Sequence, residues 1–168
     1  MMSMMMRHLS NTLCSIPRKR LLSSSAVTVH RTEDKKVAII TLNDPKKLNA
    51  LNASMGEEFK AVVNKLCEDV DTEGLGAVVL TGEGRAFSAG GDLEFLRSRS
   101  KDSPTRNATI MRRFYERFLS LRKLPVPVVA AINGPAIGAG LAVALACDVR
   151  IATEGAKMGI TFVGISCH

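Results

Sequence analysis

The chain has 168 residues, carries a formal net charge of +7 and is 46% apolar, which fits a single soluble domain able to bury a core. One Tyr, six Phe and no Trp exclude an aromatic stacking platform for single-stranded nucleic acid. Arg7, Arg18, Lys19 and Arg20 supply four of the seven excess charges; the mild remainder calls for no nucleic acid and suits a phosphate-bearing ligand.

Residues 1–26 contain no acid and are rich in Ser and basic residues, the composition of a mitochondrial transit peptide. Charged and polar residues break their apolar runs, so no secretory core of the usual length is present. A disordered basic tail is the alternative reading. Import would place the protein in the matrix, with residues 27–168 as its folded part. Cys14, Cys67, Cys147 and Cys167 match no zinc or redox spacing. The plain reading is free, mostly buried thiols in a reduced compartment, with no bound metal.

Val27–His30 and Val37–Leu42 are β-rich runs separated by the polar turn Thr32–Lys36, a hairpin pattern. After the loop Asn43–Lys47, a helix is expected from about Ser54. Met55, Phe59, Val62, Val63, Leu66 and Val70 share one face, and Ser54 with Glu57 has the form of a capping box. Ala77–Thr81 fits a buried strand, followed by the Gly-rich stretch 82–92. Arg97–Asn107 is charged, Ser-rich and carries Pro104, which reads as a surface loop or flap. A second helix is expected over Ala108–Leu121 and a strand over Val126–Ile132. Asn133-Gly134-Pro135 then turns the chain. Gly138–Cys147 reads as a helix buried all round and Val149–Ala152 as a strand. The alternation gives an α/β fold with crossover units. Val128–Cys147 has membrane-spanning length, but the Asn-Gly-Pro turn interrupts it, so no membrane span is expected.

Two segments share one layout of strand, small-residue loop and helix start: RAFSAGGDL (85–93) and NGPAIGAGLA (133–142). Such turns present backbone N–H groups to a ligand, and small residues let it come close. Two N–H groups converging from two loops make an oxyanion hole. Each loop alone also reads as a tight structural turn. The second lacks the third Gly of G-x-G-x-x-G, because Val143 stands there, and no P-loop pattern exists.

Taken together with LNDPKKLNAL (42–51), the stretches GEGRAFSAGGDL (82–93) and NGPAIGAGLAVALACDVRIAT (133–153) resemble three ordered blocks of the crotonase (enoyl-CoA hydratase/isomerase) family. The resemblance spans roughly Val27 to Ile165. It implies a crotonase-like ββα spiral fold that binds a CoA thioester and stabilises its enolate. Coenzyme A would be part of the substrate, with no separate cofactor. By motif position the oxyanion donors would be the N–H groups of Gly91 and Ala139. Lys46, Lys47, Leu48, Ala89, Asp92, Leu93, Pro135 and Gly138 would line the ligand with them. Asp92 also reads as a simple helix N-cap. The complete family domain forms trimers or hexamers, and its C-terminal helices would make this chain a shortened member, incomplete at the C-terminus.

The two glutamates that the family's hydratases use correspond here to Ala142 and Phe162, neither of which can move a proton. Glu94, Tyr115 and His168 are the possible substitutes. Their bland readings are a first-turn helix acid, a rim residue and a frayed terminus. The resemblance therefore implies an acyl-CoA lyase, hydratase or isomerase of mitochondrial fatty-acid or branched-chain metabolism. The alternatives are a catalytically silent acyl-CoA binder and an inactive shortened isoform.

Overall fold

The computed structural model describes residues 25–160. The hairpin forms as expected: β1 (Val27–Arg31) pairs antiparallel with β2 (Val37–Leu42), Val27 opposite Leu42 and Arg31 opposite Ala38. Thr32 closes the turn, its N–H donating to the Val37 carbonyl at 3.0 Å and its Oγ1 accepting the Val37 N–H at 3.1 Å. The chain is already anchored at its first described residues, where Glu58 accepts the Ala26 N–H at 2.8 Å and the Ser25 hydroxyl at 2.7 Å.

From β2 onward the main sheet is parallel. α1 (Ala53–Glu73) crosses from β2 to β3 (Ala77–Gly82). α2 (Leu93–Arg99), α3 (Pro104–Phe118) and a 3-10 turn (Leu119–Lys123) lead to β4 (Val128–Ile132). β5 (Ala136–Ile137) and α4 (Ala139–Leu145) lead to β6 (Val149–Ala152), giving the sheet order β1-β2-β3-β4-β6. β7 (Met158–Gly159) returns to pair in parallel with β5, apart from the main sheet. Parallel neighbours cannot be joined by a tight turn, so each step needs such a crossover.

Residues in β2, β3 and β4 alternate between buried and half-buried. The buried set includes Ala38, Ile40, Leu42, Val78, Leu80, Ala130 and Ile132. It forms one core with Met55, Phe59, Val63 and Leu66 of α1 and with Phe114 and Phe118 of α3. Phe118 lies 5.6 Å from Phe59 and 5.2 Å from Phe114 between ring centroids. Each such fully buried large side chain contributes about 1.5–3 kcal/mol relative to exposure. The α1–α3 contact carries an ion pair at its rim, Arg117 to Glu57 at 2.6 Å.

The helix boundaries depart from the sequence reading at three places. α1 is capped by Asn52, whose side chain accepts the Met55 N–H at 2.9 Å, not by Ser54. The reason lies upstream: Leu51 is pinned at both its N–H and its carbonyl, which carries extended backbone through Asn52 and starts the helix a residue earlier. Glu57 is thereby free of a capping role and pairs with Arg117. Arg97–Asn107 is not one loop. α2 runs to Arg99 and α3 starts at Pro104, capped by the Ser103 hydroxyl. Ser before Pro is a helix-start signal that outweighs the charged composition. α4 is not buried all round, because Leu145 is 52% exposed. Its buried residues are Ala139, Gly140, Val143 and Ala144.

No helix among the described residues is long and apolar enough to cross a membrane. Cys67 and Cys147 are free thiols, and burial pushes the Cys147 thiol up to about 12, with Asp148 adding to the shift. Every residue of β6 is exposed, Val149 and Ile151 included. Residues 1–24 lie outside the described residues, and with them nearly all of the expected leader and Cys14.

Candidate active site

The three sequence blocks meet at the ends of β2, β3 and β4. The first two lie side by side between Leu48 and Asp92. Ala89 N–H donates to the Leu48 carbonyl at 2.9 Å, Leu51 N–H to the Gly90 carbonyl at 2.7 Å, and Asp92 N–H to the Leu51 carbonyl at 2.8 Å. The second and third blocks are joined in the same manner. Phe87 and Ser88 N–H groups both donate to the Pro135 carbonyl at 3.1 Å, and Ile137 N–H donates to the Ser88 carbonyl at 3.0 Å.

Two glycines make these approaches possible. A Cβ on Gly134 would lie 2.2 Å from the Arg85 carbonyl oxygen. Gly90 has φ +94°, and a Cβ there would lie 2.6 Å from the Ile137 oxygen and 3.5 Å from the Ala139 nitrogen. The backbone of the first loop thus lies directly against the segment that opens α4. The left-handed conformation falls on Gly90 and not on Gly91, where the nearest atoms to a Cβ are those of the Leu96 side chain, at 3.4 Å. Gly91→Val therefore carries none of the backbone strain that a positive φ would have imposed.

Neither the Gly91 nor the Ala139 N–H donates a hydrogen bond to another described residue. On either side, Gly90 N–H is engaged with Ser88 Oγ, Asp92 N–H with the Leu51 carbonyl, and Gly138 N–H with the Gly159 carbonyl at 2.7 Å. An unengaged N–H on each of two adjoining loops gives an acceptor two donors to meet. α4 has seven residues, so its macrodipole is short and the N–H itself carries the attraction.

Lys47 and Asp92 lie at the junction of the first two blocks. Lys47 Nζ is 3.1 Å from Asp92 Oδ2 and 3.7 Å from Glu94. Asp92 also caps α2, accepting the N–H groups of Glu94 and Phe95 at 2.9 and 3.0 Å. The N-cap reading of Asp92 is therefore observed. The Phe95 N–H, against the cost of burial and with the help of Lys47, holds its carboxyl below the usual 3.8. Hydrogen bonding to Asp92 raises the Lys47 ammonium above its usual value. Lys46, Ala89 and Leu93 are exposed, Pro135 is half-buried, and Leu48 is half-buried with φ 53°.

A depressed carboxyl stabilises the fold above its unfolded pKa and loses that contribution as pH falls through the folded one. Asp92→Asn keeps a good capping group. The variant is expected to have a lower urea midpoint than the parent at pH 7, with the gap closing below about pH 4. A gap that persists unchanged at pH 2.5 would mean the ionised carboxylate contributes nothing.

Three polar residues hold this region and went unrecognised in the sequence. Asn49 is fully buried, with φ 56°. Its amide nitrogen donates to the Glu83 and Ala86 carbonyls at 2.9 and 2.8 Å, and its Oδ1 accepts the Asp44 N–H at 2.9 Å. Asn133 donates to the Gly82 and Gly84 carbonyls at 2.8 and 3.0 Å, tying the ends of β3 and β4. Ser88 is fully buried between the loops. The available signal was an uncharged polar residue inside an apolar run, as in Leu48-Asn49-Ala50-Leu51.

The proton-moving candidates are not gathered at the loops. Ala142 is half-buried and offers only a methyl group. Glu94 is exposed, its side chain 87% accessible, and paired with Lys47. Tyr115 stacks edge-on against Phe114 at 5.3 Å, within the α3 face. Phe162, Cys167 and His168 lie outside the described residues.

Comparison with known proteins agrees with the geometry. Residues 32–166 match the sequence model of the enoyl-CoA hydratase/isomerase family. A probable enoyl-CoA hydratase of Mycobacterium tuberculosis is 40% identical over 135 residues, covering 80% of this chain and 50% of its own length. A short-chain-enoyl-CoA hydratase of Clostridium acetobutylicum is 37% identical over 131 residues, covering 77% of this chain and 48% of its own. Among solved structures, the enoyl-CoA hydratase of Mycobacterium smegmatis superposes with a TM-score of 0.74 at 31% identity, over 84% of this chain and 52% of that one. That of Bacillus anthracis gives 0.72 at 32% identity, with the same coverage.

The fold, with two interlocked small-residue loops at the ends of its parallel strands, is of crotonase type, as in these solved enoyl-CoA hydratases. The chain belongs to the enoyl-CoA hydratase/isomerase family, and it spans about half the length of the relatives it matches.

Proposed function

We propose that the protein binds a CoA thioester with its carbonyl oxygen between the Gly91 and Ala139 N–H groups. The observation that carries this reading is the pair of adjoining loops, which leave the Gly91 and Ala139 N–H groups unengaged by any described residue where the two loops touch. Family membership supports a CoA thioester as the substrate class. Lys46 and Lys47 offer positive charge to the nucleotide phosphates. Two such donors hold negative charge on oxygen better than a neutral carbonyl, and so favour an enolate; each is worth about 10²–10³ in rate.

Ala142 favours a second reading, an acyl-CoA binder that does not hydrate. Both readings are separated by titrating an acyl-CoA thioester into the full chain while following crotonyl-CoA hydration. Saturable binding without turnover is the expected result. Turnover in the ordinary enzyme range of about 1–10³ per second would overturn the assignment of Ala142 and Phe162 to the acid/base positions. Ala139→Val, which narrows the entry to the donor, is expected to abolish binding. Normal binding by that variant would make the loops structural turns.

The acid-free basic front supports a place in mitochondrial acyl-CoA metabolism. Residues 1–30 fused to a fluorescent reporter should carry it into mitochondria; a diffuse cytosolic signal would count against import.

A further inference from the structure

We infer that Ser88 is the residue that positions both oxyanion donors, with Asn49 as its anchor; the inference rests on the thioester reading above. Ser88 is fully buried. Its hydroxyl donates to the Asn49 carbonyl at 2.8 Å and accepts the Gly90 N–H at 3.2 Å. The second bond acts on the peptide that takes φ +94°, immediately before Gly91. The main chain of Ser88 reaches the other loop, through Pro135 and Ile137. Its side chain also sets the position of α4: a Cβ on Gly140 would lie 2.7 Å from Ser88 Cβ and 2.8 Å from Ser88 Oγ. One small side chain therefore touches the residue before the first donor and the residue after the second.

The same contacts argue against a nucleophilic role. The Ser88 proton is committed to a carbonyl, the oxygen accepts a backbone N–H, and no histidine or carboxylate among the described residues is bonded to it. A hydroxyl satisfied on both sides holds geometry. Ser88 and Gly140 also fit each other, since a Cβ at position 140 would collide with the serine side chain. Asn49 completes the link, because its own amide is fixed to the Glu83 and Ala86 carbonyls at the foot of the first loop.

The test uses an aryl-acryloyl-CoA thioester, whose conjugated carbonyl absorbs further to the red when hydrogen bonds polarise it. Binding to the full chain is expected to shift the absorption band. Ser88→Ala is expected to bind the thioester with nearly the parent's Kd, since the nucleotide contacts remain, but to lose most of the shift. Ser88→Cys, which keeps a weak donor on a somewhat larger atom, should retain an intermediate shift, and it carries the test if the alanine variant fails to fold by circular dichroism. Ser120→Ala removes another buried hydroxyl, bonded to the Arg117 carbonyl at 2.6 Å, and should leave the shift intact. A full red shift in both Ser88 variants overturns the positioning role and leaves the oxyanion reading standing. Parent protein that binds the thioester with no red shift overturns both.

Discussion

Gly90→Ala is expected to destabilise the protein by about 2–5 kcal/mol and to abolish the red shift of a bound aryl-acryloyl-CoA thioester. Two penalties act together. Alanine at φ +94° occupies a region that L-residues avoid, at a cost of order 1–3 kcal/mol. Its methyl would also meet the Ile137 carbonyl oxygen at 2.6 Å, a contact with backbone that cannot rotate away. Relief comes only by parting the loops, which moves Gly91 away from Ala139. Gly91→Ala is the matched comparison, because the nearest atoms to its methyl are those of the flexible Leu96 side chain, at 3.4 Å. Urea midpoints separate the two, and a Gly90→Ala midpoint equal to that of Gly91→Ala would mean the loops are not in contact as described.

Asn49→Ala is the second large effect, about 3–5 kcal/mol. The substitution leaves the Asp44 N–H and the Ala86 and Glu83 carbonyls without their partner. Each unsatisfied buried group costs about 1–3 kcal/mol, with partial relief where water enters. Alanine also tolerates the left-handed backbone at this position less well than asparagine. Asn49→Gly removes that strain while keeping the hydrogen-bond loss. The two variants should therefore rank with glycine the more stable, both well below the parent in chemical unfolding. If Asn49→Ala unfolds within experimental error of the parent, the buried amide is not what holds the first loop.

Much of the fold is legible because burial imposes a period. Val37–Leu42 and Ala77–Gly82 are β-rich in sequence and buried at alternate residues, and the α1 face recurs at helical spacing. The two loops are legible from their small residues, which announce close backbone approach before showing what approaches. Helix ends are harder. Asn52 and Ser54 are both good caps, and the choice between them is made by Gly90 and Asp92, about forty residues away in sequence. Ser103-Pro104 was a local signal masked by the charges around it. Asn49, Ser88 and Asn133 were the least visible, since an isolated polar residue has no period. Their partners lie far along the chain, and only the folded backbone brings those carbonyls within reach.

That separation along the chain also bears on the order of folding. The β1–β2 hairpin closes over a handful of residues, whereas Asn49 meets Ala86 across 37 positions, Ser88 meets Asn49 across 39 and Asn133 meets Gly82 across 51. Closing such loops costs chain entropy before any bond is gained, so nonlocal contacts form slowly. During synthesis the third block leaves the ribosome last, and the interlocked loops cannot close before β4 has docked beside β3. The ligand-binding frame is therefore expected to form late, so that its substitutions speed unfolding more than they slow folding. In a chevron, Ser88→Ala should raise the unfolding arm and leave the folding arm nearly in place.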